Sequence, residues 1–133
     1  MRYVVNLDEI KSFTPPHHMK TRDKVLIDEK LGAKNFVLWY GKVEPGGGAN
    51  THFHEFEQAF YVLEEEVLFE IENMECRVKE GMAVFIPPNA KHRILNTGKG
   101  NLKVLIIMAP QPKGSDVWKA GEVKSEVVPL RNR

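Results

Sequence analysis

Short apolar stretches separated by Gly, Pro and Asn follow one another from Lys24 onward, and several of them alternate between apolar and polar positions. In the stretch EVLFEIE, Val67, Phe69 and Ile71 lie on one face of an extended chain, while the glutamates lie on the other. Such alternation predicts a half-buried strand rather than a helix. The stretches with strand character are KVLID, NFVLWYGKV, QAFYVL, EVLFEIE, CRVKE, MAVFIP, HRILN and LKVLIIM.

Many short strands with frequent turns predict an all-β fold, either a closed barrel or a two-sheet jelly roll. Only LDEIKSF, near the start, has the pattern of a short helix. On this interpretation residues 35–110 form the barrel. Residues 1–34 supply an N-terminal strand and a Pro-rich link that contains TPPHHMKTRD, and residues 111–133 form a polar tail that packs on the barrel or on a partner subunit.

Composition narrows the class of protein further. The 133 residues are 42% hydrophobic and 28% charged, with a formal net charge of +1, which is typical of a globular domain. A charge so close to neutral gives no field that would recruit nucleic acid or a membrane surface. The single Cys76 excludes an internal disulfide, and no apolar run is long enough for a signal peptide or a membrane span. We therefore expect a cytoplasmic protein that binds neither nucleic acid nor membrane.

The stretch THFHEFEQ has the pattern of a metal site. His52 and His54 are two positions apart, so on an extended strand both imidazoles point to the same side. Glu55, Glu57 and Gln58 could each supply a further ligand. Along a single strand Gln58 shares the face of the histidines and the two glutamates alternate away, although a hairpin between the glutamates would change that alternation.

The residues around these histidines resemble the first signature of the cupin superfamily, G(X)5HXH(X)3-4E(X)6G. Gly46, His52 and His54 stand at the family's spacing. Gln58 stands where the family has Glu, and Glu65 stands where it has its final Gly. The second difference matters for the backbone, because the tight turn that follows YVLE then lacks its usual glycine.

A later stretch, GMAVFIPPNAKHRILN, resembles the second cupin signature, G(X)5PXG(X)2H(X)3N. Gly81, Pro87, His92 and Asn96 match it, and Asn89 replaces the central Gly. That replacement is mild, because asparagine tolerates positive φ better than most residues. Together the two signatures cover most of the predicted barrel, and the resemblance implies a double-stranded β-helix jelly roll.

The same resemblance implies that His52, His54, Gln58 and His92 bind one divalent transition metal, which could be Fe, Mn, Ni, Zn, Cu or Co. Because glutamine is neutral, it would leave the metal its full charge, which acidifies bound water and favours an anionic ligand. The alternative role for Gln58 is to hydrogen-bond a ligand imidazole or a water. No other histidine or carboxylate is predicted on the inward face, so metal-bound water is the expected base.

The His/His/Gln/His set is similar to that of the unsaturated pyranuronate lyases, which open the ring of unsaturated uronate sugars, although the spacing from HXH to Gln is one residue shorter here. We expect a metal-dependent enzyme that acts on a small oxygenated, anionic metabolite by Lewis-acid chemistry, of lyase, isomerase or dioxygenase type. A small-molecule-binding or sensor protein and a metal-free structural barrel are the alternatives. The resemblance also implies a homodimer, in which RYVVNL is a candidate for an exchanged strand.

The remaining histidines and the basic residues beside His92 are interpreted as surface groups. His17 and His18 fall in the Pro-rich link, where we expect an exposed pair. Lys91 and Arg93 flank His92, and strand alternation turns them away from its face.

Overall fold

The computed structural model describes residues 3–112 of the chain. Each of the eight stretches with strand character overlaps one strand, which confirms the predicted all-β class. The strands are β1 (His18–Ile27), β2 (Val37–His52), β3 (Glu57–Glu64), β4 (Val67–Ile71), β5 (Met74–Val78), β6 (Ala83–Ile86), β7 (His92–Leu95) and β8 (Leu102–Ala109). Of the predicted tail, only Gln111 and Pro112 lie within the described residues.

Two short 3-10 helices accompany the strands. The first, Leu7–Glu9, lies in the stretch LDEIKSF, where a short helix is predicted. The second, Glu29–Leu31, follows β1 and ends at Gly32, which has a positive φ of 106°. Neither helix, nor any other within residues 3–112, has the length and apolar character needed to cross a membrane.

Strand β2 takes part in both halves of the barrel. Its first part, residues 37–43, pairs with β8, and its last part, residues 48–52, pairs with β7. The strand order β5-β4-β7-β2-β8-β3-β6 gives one eight-stranded, nearly closed sheet, with β1 paired along β2. This arrangement is the predicted jelly roll, in which a single sheet wraps around one core.

The bend of β2 depends on glycines in EPGGGAN. Gly46 and Gly48 have φ values of 81° and 145°, which residues with a side chain rarely adopt. A Cβ on Gly48 would overlap the carbonyl oxygen of Ile94 on β7. The absent side chain lets the two backbones approach closely, and further along this pairing His52 lies opposite His92.

Two residues that replace family glycines keep the backbone conformation of glycine. Asn89 has a φ of 64° and Glu65 a φ of 71°. The left-handed conformation disfavours a glutamate by about 1–2 kcal/mol, so the fold maintains this turn against the local preference of Glu65. The turn geometry of the signature is therefore retained although its residue has changed.

The apolar faces of the strands pack into one core inside the barrel. Val67 and Phe69 are buried, as the alternation of β4 predicts, and Ile71 is half-buried at its end. Phe60 and Phe69 pack across the interior with ring centroids 5.0 Å apart. The other buried apolar residues of this core cluster are Val37, Trp39, Val43, Ala49, Val62, Val78, Ile86, Ala90, Ile94, Leu102, Val104, Ile106 and Met108.

Arg93 is not the surface residue that the sequence predicts. Its side chain is only 3% exposed, and its Nε lies 3.4 Å from Oε2 of Glu70 on β4. Alternation does turn Arg93 away from His92, but β7 is flanked by β4 and β2, whose side chains limit its exposure. Lys91, just before β7, is exposed as predicted.

Strand β1 begins inside the segment that the sequence assigns to a Pro-rich link. It runs antiparallel to β2 with Asp23 opposite Gly41 and Val25 opposite Trp39. Upstream, residues 3–6 form no strand, and Tyr3 is 81% exposed. The exchange of this N-terminal stretch between subunits stays a prediction.

Asn96, the last residue of the second signature, connects three parts of the barrel. It is 2% exposed. Its Nδ2 donates to the carbonyl oxygens of Val43 at 2.9 Å and Gly100 at 3.0 Å, and its Oδ1 accepts from the backbone N–H of Gly98 at 2.9 Å. One side chain thus holds β2, the end of β7 and the loop before β8 together.

We expect Asn96→Ala to lower the free energy of unfolding by about 2–4 kcal/mol, because it leaves buried backbone groups without hydrogen-bond partners. Urea denaturation measures this change. The matched control is Asn101→Ala, which alters an exposed asparagine in the same loop and should change stability by less than about 0.5 kcal/mol. Equal effects of the two substitutions would contradict the role given to Asn96.

Candidate metal centre

Three histidines from the two signatures meet in the structure. His52 is the last residue of β2, His92 is the first residue of β7, and the two are paired across the strands. His54 lies beyond the end of β2, so the prediction that it shares a strand with His52 is wrong. Its carbonyl oxygen accepts a hydrogen bond from the backbone N–H of Asn89 at 2.7 Å, which connects its loop to the turn of the second signature.

The geometry of the three imidazoles suits a single metal ion. One nitrogen from each of His52, His54 and His92 lies within 4.8 Å of the others. The ring centroids of His52 and His92 are 4.3 Å apart, and those of His54 and His92 are 4.9 Å apart. All three residues are buried.

Backbone carbonyls fix the tautomer of two of these rings. Nδ1 of His52 lies 2.7 Å from the carbonyl oxygen of Asn50, and Nδ1 of His92 lies 2.8 Å from that of Ala90. A carbonyl oxygen can only accept, so each Nδ1 carries the hydrogen and each Nε2 keeps a lone pair. Nε2 of His92 is buried without a hydrogen-bond partner. A buried lone pair without a donor fits a metal ligand.

Burial also sets the charge of the histidines. It lowers the pKa of His92 to about 4 and that of His54 below its ordinary value of 6.5. The pKa of His52 lies well below 6.5 because of burial first and the neighbouring His92 second. The three rings are therefore neutral near pH 7, which is the form that binds metals.

Gln58 lies beside this group at the start of β3, and its Oε1 is 2.9 Å from Nε2 of His54. Nδ1 of the same ring lies 3.1 Å from the carbonyl oxygen of Phe56. A neutral imidazole has only one N–H, so it cannot donate to both oxygens. If it donates to Phe56, two acceptor atoms face each other at Gln58. The inward direction of Gln58 and Phe60, with Tyr61 exposed, follows the predicted alternation.

A cavity beside the histidines encloses about 610 Å³, its open mouth included. Most of its wall is apolar, and among the described residues that line it there is neither a lysine nor an arginine. The lining residues are Pro15, Pro16, His17, His18, Asp23, Trp39, His52, His54, Phe56, Gln58, Phe60, Ile94, Ile106 and Met108.

His18 faces this cavity, so the prediction of an exposed His17–His18 pair is wrong. The ring centroid of His18 lies 5.9 Å from that of His52, and His17 lines the cavity as well. Nδ1 of His18 lies 2.7 Å from the carbonyl oxygen of Pro16, and burial lowers its pKa to about 4. The sequence pattern predicts a link in this part of the chain, whereas β1 begins at His18 and pairs along β2.

Asp23 also lines the cavity, which overturns the expectation that no carboxylate points inward. It is 2% exposed, and its Oδ1 is buried without a hydrogen-bond partner. Burial raises the pKa of its carboxyl from 3.8 to about 7. The sequence contains a signal for this position. Thr21, Asp23 and Val25 alternate with basic residues, a pattern that is typical of a strand and places Asp23 on the same face as Thr21 and Val25.

The comparisons with known proteins agree with this fold. The Cupin_2 model of the cupin domain matches residues 39–108, more than half of the chain. The chain belongs to this cupin family.

Three proteins are similar to this chain in sequence or in structure. The tetracenomycin polyketide synthase protein TcmJ of Streptomyces glaucescens is 25% identical over 122 residues, which cover 90% of this chain and 80% of TcmJ. The polyketide cyclase RemF from Streptomyces resistomycificus superimposes with a TM-score of 0.78 and 26% identity, covering 98% of this chain and 88% of RemF. KdgF from Halomonas sp. has a TM-score of 0.72 over 85% of this chain and 97% of KdgF, and its 18% identity shows a shared fold alone.

We expect Asp23→Asn to stabilise the protein increasingly as the pH rises. The folded state holds the Asp23 proton up to about pH 7, whereas the ordinary pKa of 3.8 applies to the unfolded chain. Between these values the folded state binds more protons than the unfolded state, so this carboxyl lowers stability as the pH rises. The asparagine variant lacks this effect and should exceed its parent by up to roughly 4 kcal/mol above pH 7.

Urea denaturation of both proteins at about pH 4.5, 6 and 8, in the same metal state, measures the difference. The control is Asp8→Asn, which alters an exposed carboxylate and should change stability by less than about 0.5 kcal/mol. A difference for Asp23→Asn that does not vary with pH would show that the Asp23 carboxyl titrates normally in the folded state.

Proposed function

We propose that this protein is an enzyme that binds one divalent transition metal through His52, His54, Gln58 and His92. The observation that carries the proposal is the buried Nε2 of His92, which has no hydrogen-bond partner and lies within 4.8 Å of a nitrogen on each of two further imidazoles. A buried lone pair is costly unless something satisfies it. A metal ion held by the three rings would satisfy that of His92.

The position of Gln58 supports it as the fourth ligand. Two ligand atoms at neighbouring corners of an octahedron, each about 2.1 Å from the metal, are about 3.0 Å apart. Oε1 of Gln58 and Nε2 of His54 are 2.9 Å apart. A cation that both atoms contact would also remove the conflict between two facing acceptors. Since all four ligands are neutral, the site would keep the full charge of the ion and would attract an anionic substrate oxygen.

The wall of the cavity favours a largely apolar substrate. Trp39, Phe60 and Met108 contribute apolar surface, and no described lining residue is a lysine or arginine that could hold a carboxylate or phosphate. A sugar would leave many hydroxyl groups unpaired against such a wall. The substrate should therefore carry its oxygens at one end, toward the histidines, and apolar groups elsewhere.

The relatives TcmJ and RemF, described as a polyketide synthase protein and a polyketide cyclase, support the same class of substrate. Polyketide chains carry carbonyl groups on alternate carbons of an otherwise apolar backbone. A 1,3-dicarbonyl compound readily forms an enolate, whose two oxygens suit a cation with free coordination positions. We propose a 1,3-dicarbonyl compound of polyketide type as the substrate, and Lewis-acid chemistry at its carbonyl group.

The metal would act as a Lewis acid that polarises a carbonyl oxygen and eases the loss of a proton from the neighbouring carbon. The chain supplies orientation and exclusion of water. The carbonyls of Asn50 and Ala90 hold the rings of His52 and His92 in place. The apolar wall limits the water around the reacting groups and so strengthens their electrostatic interactions.

We expect about one equivalent of a divalent transition metal per chain, and much less in Gln58→Ala, because this variant loses a ligand. Elemental analysis of untagged protein purified without chelator measures both. Gln111→Ala is the matched control, since Gln111 donates to the carbonyl oxygen of Ala33 and does not line the cavity. Full metal retention by Gln58→Ala would make Gln58 a hydrogen-bond partner of His54. If the parent protein takes up no metal even after reconstitution, the proposed metal-dependent function is wrong and the protein is a metal-free barrel.

We expect metal-loaded protein to bind 1-phenylbutane-1,3-dione at least ~10-fold more tightly than galacturonate, because the diketone combines two chelating oxygens with an apolar body. Titration followed by ultraviolet absorbance and by calorimetry gives the two affinities. His92→Ala should lose the preference together with the metal. A preference for the uronate would contradict the proposed substrate class and favour a sugar-acid substrate.

A further inference from the structure

The carboxyl of Asp23 is a polar group on the cavity wall that nothing in the fold accounts for. It is 2% exposed, and its Oδ1 has no hydrogen-bond partner. Burying a carboxyl oxygen without a hydrogen-bond partner costs free energy, so this side chain does not stabilise the fold through that oxygen. The side chain lines the cavity, and a bound molecule is the partner that it can reach.

The backbone of Asp23 is held on both sides. Its N–H donates to the carbonyl oxygen of Phe13 at 2.8 Å, and the N–H of Phe13 donates back to the carbonyl oxygen of Asp23 at 2.9 Å. On its other side Asp23 pairs with Gly41 of β2. A side chain on a backbone fixed in this way has a defined direction, which is what a catalytic group requires.

Gly41 leaves room for the carboxyl. A Cβ at this position would lie 2.8 Å from Oδ1 of Asp23 and 3.1 Å from Cγ2 of Val104. Gly41 is not among the glycines with positive φ, so the backbone conformation does not require a glycine there. Space beside Asp23 is what this glycine provides.

No described group neutralises Asp23. On its own strand Lys20 and Arg22 are exposed, and Nζ of Lys24 donates to the carbonyl oxygen of Leu7 at 3.0 Å. The neighbouring inward side chain, Thr21, donates its hydroxyl to its own strand. The other titratable groups that line the cavity are His17, His18, His52 and His54. With the pKa of Asp23 at about 7, both of its protonation states are present near neutral pH, as suits a group that moves a proton.

We propose that Asp23 is the catalytic residue that hydrogen-bonds the bound substrate and exchanges a proton with it. A carboxylate oxygen of Asp23 takes a proton from the carbon next to the substrate carbonyl. The electrons of that C–H bond form the new carbon–carbon double bond as the carbonyl becomes an enolate, and the neutral carboxyl later returns the proton to carbon or oxygen. The step needs no oxidant or reductant, and it rests on the proposed function for the polarised carbonyl.

The first test follows the exchange of hydrogen for deuterium next to the carbonyl of 1-phenylpropan-2-one in D2O by NMR. Metal-loaded parent should accelerate this exchange, and Asp23→Asn should reduce the acceleration by about 100-fold or more. Asp8→Asn, the same change at an exposed aspartate, should match the parent. Exchange by Asp23→Asn within about threefold of the parent would overturn the proposal.

The second test needs no variant and no turnover. Carboxyl-13C aspartate labels only four residues of this chain, and the Asp23 signal is recognised because it titrates near neutral pH. Adding 1-phenylbutane-1,3-dione should shift that signal if the carboxyl contacts the ligand. An unmoved signal at saturating diketone overturns the proposal. If the metal-loaded parent catalyses no exchange, the proposed Lewis-acid function is wrong. The shift of the Asp23 carboxyl signal then decides separately whether Asp23 contacts an oxygenated ligand.

Discussion

The antiparallel pairing of β2 with β7 is the constraint on which the site depends. It places His52 opposite His92, and it requires two backbones to approach more closely than a side chain at Gly48 would permit. The same bend carries β2 from its pairing with β8 to its pairing with β7, so it also closes the barrel around the core. Closure of the barrel and the approach of His52 to His92 therefore depend on the same strand pairing.

Burial acts in opposite directions on the two kinds of titratable group in the cavity. It lowers the pKa of the imidazoles of His18, His52, His54 and His92, and it raises that of the Asp23 carboxyl. In each case burial disfavours the charged form. The imidazoles are therefore neutral near pH 7, where the Asp23 carboxyl is partly ionised, and a bound cation would be the dominant electrostatic feature of the cavity.

Much of the fold follows from local patterns. The strands were predictable because apolar and polar residues alternate with a period of two wherever one face of the sheet meets the core. Glu65 and Asn89 show that the turns are set by backbone conformation rather than by residue type, since both keep positive φ in place of glycine. The ligand candidates were predictable because they stand at the spacing of the two signatures, although the structure places His52 on β2, His54 beyond its end and Gln58 on β3 rather than along one strand.

The sequence by itself determined the strands, the jelly-roll class and the three histidines of the candidate metal centre. The tertiary structure decided the rest of the cavity, since His18 and Asp23 reach it only when β1 pairs along β2. It also decided the burial of Arg93, which depends on the strands that flank β7. The physical reason is the range of the interactions: alternation is a property of neighbouring residues, whereas burial depends on which distant strand lies alongside.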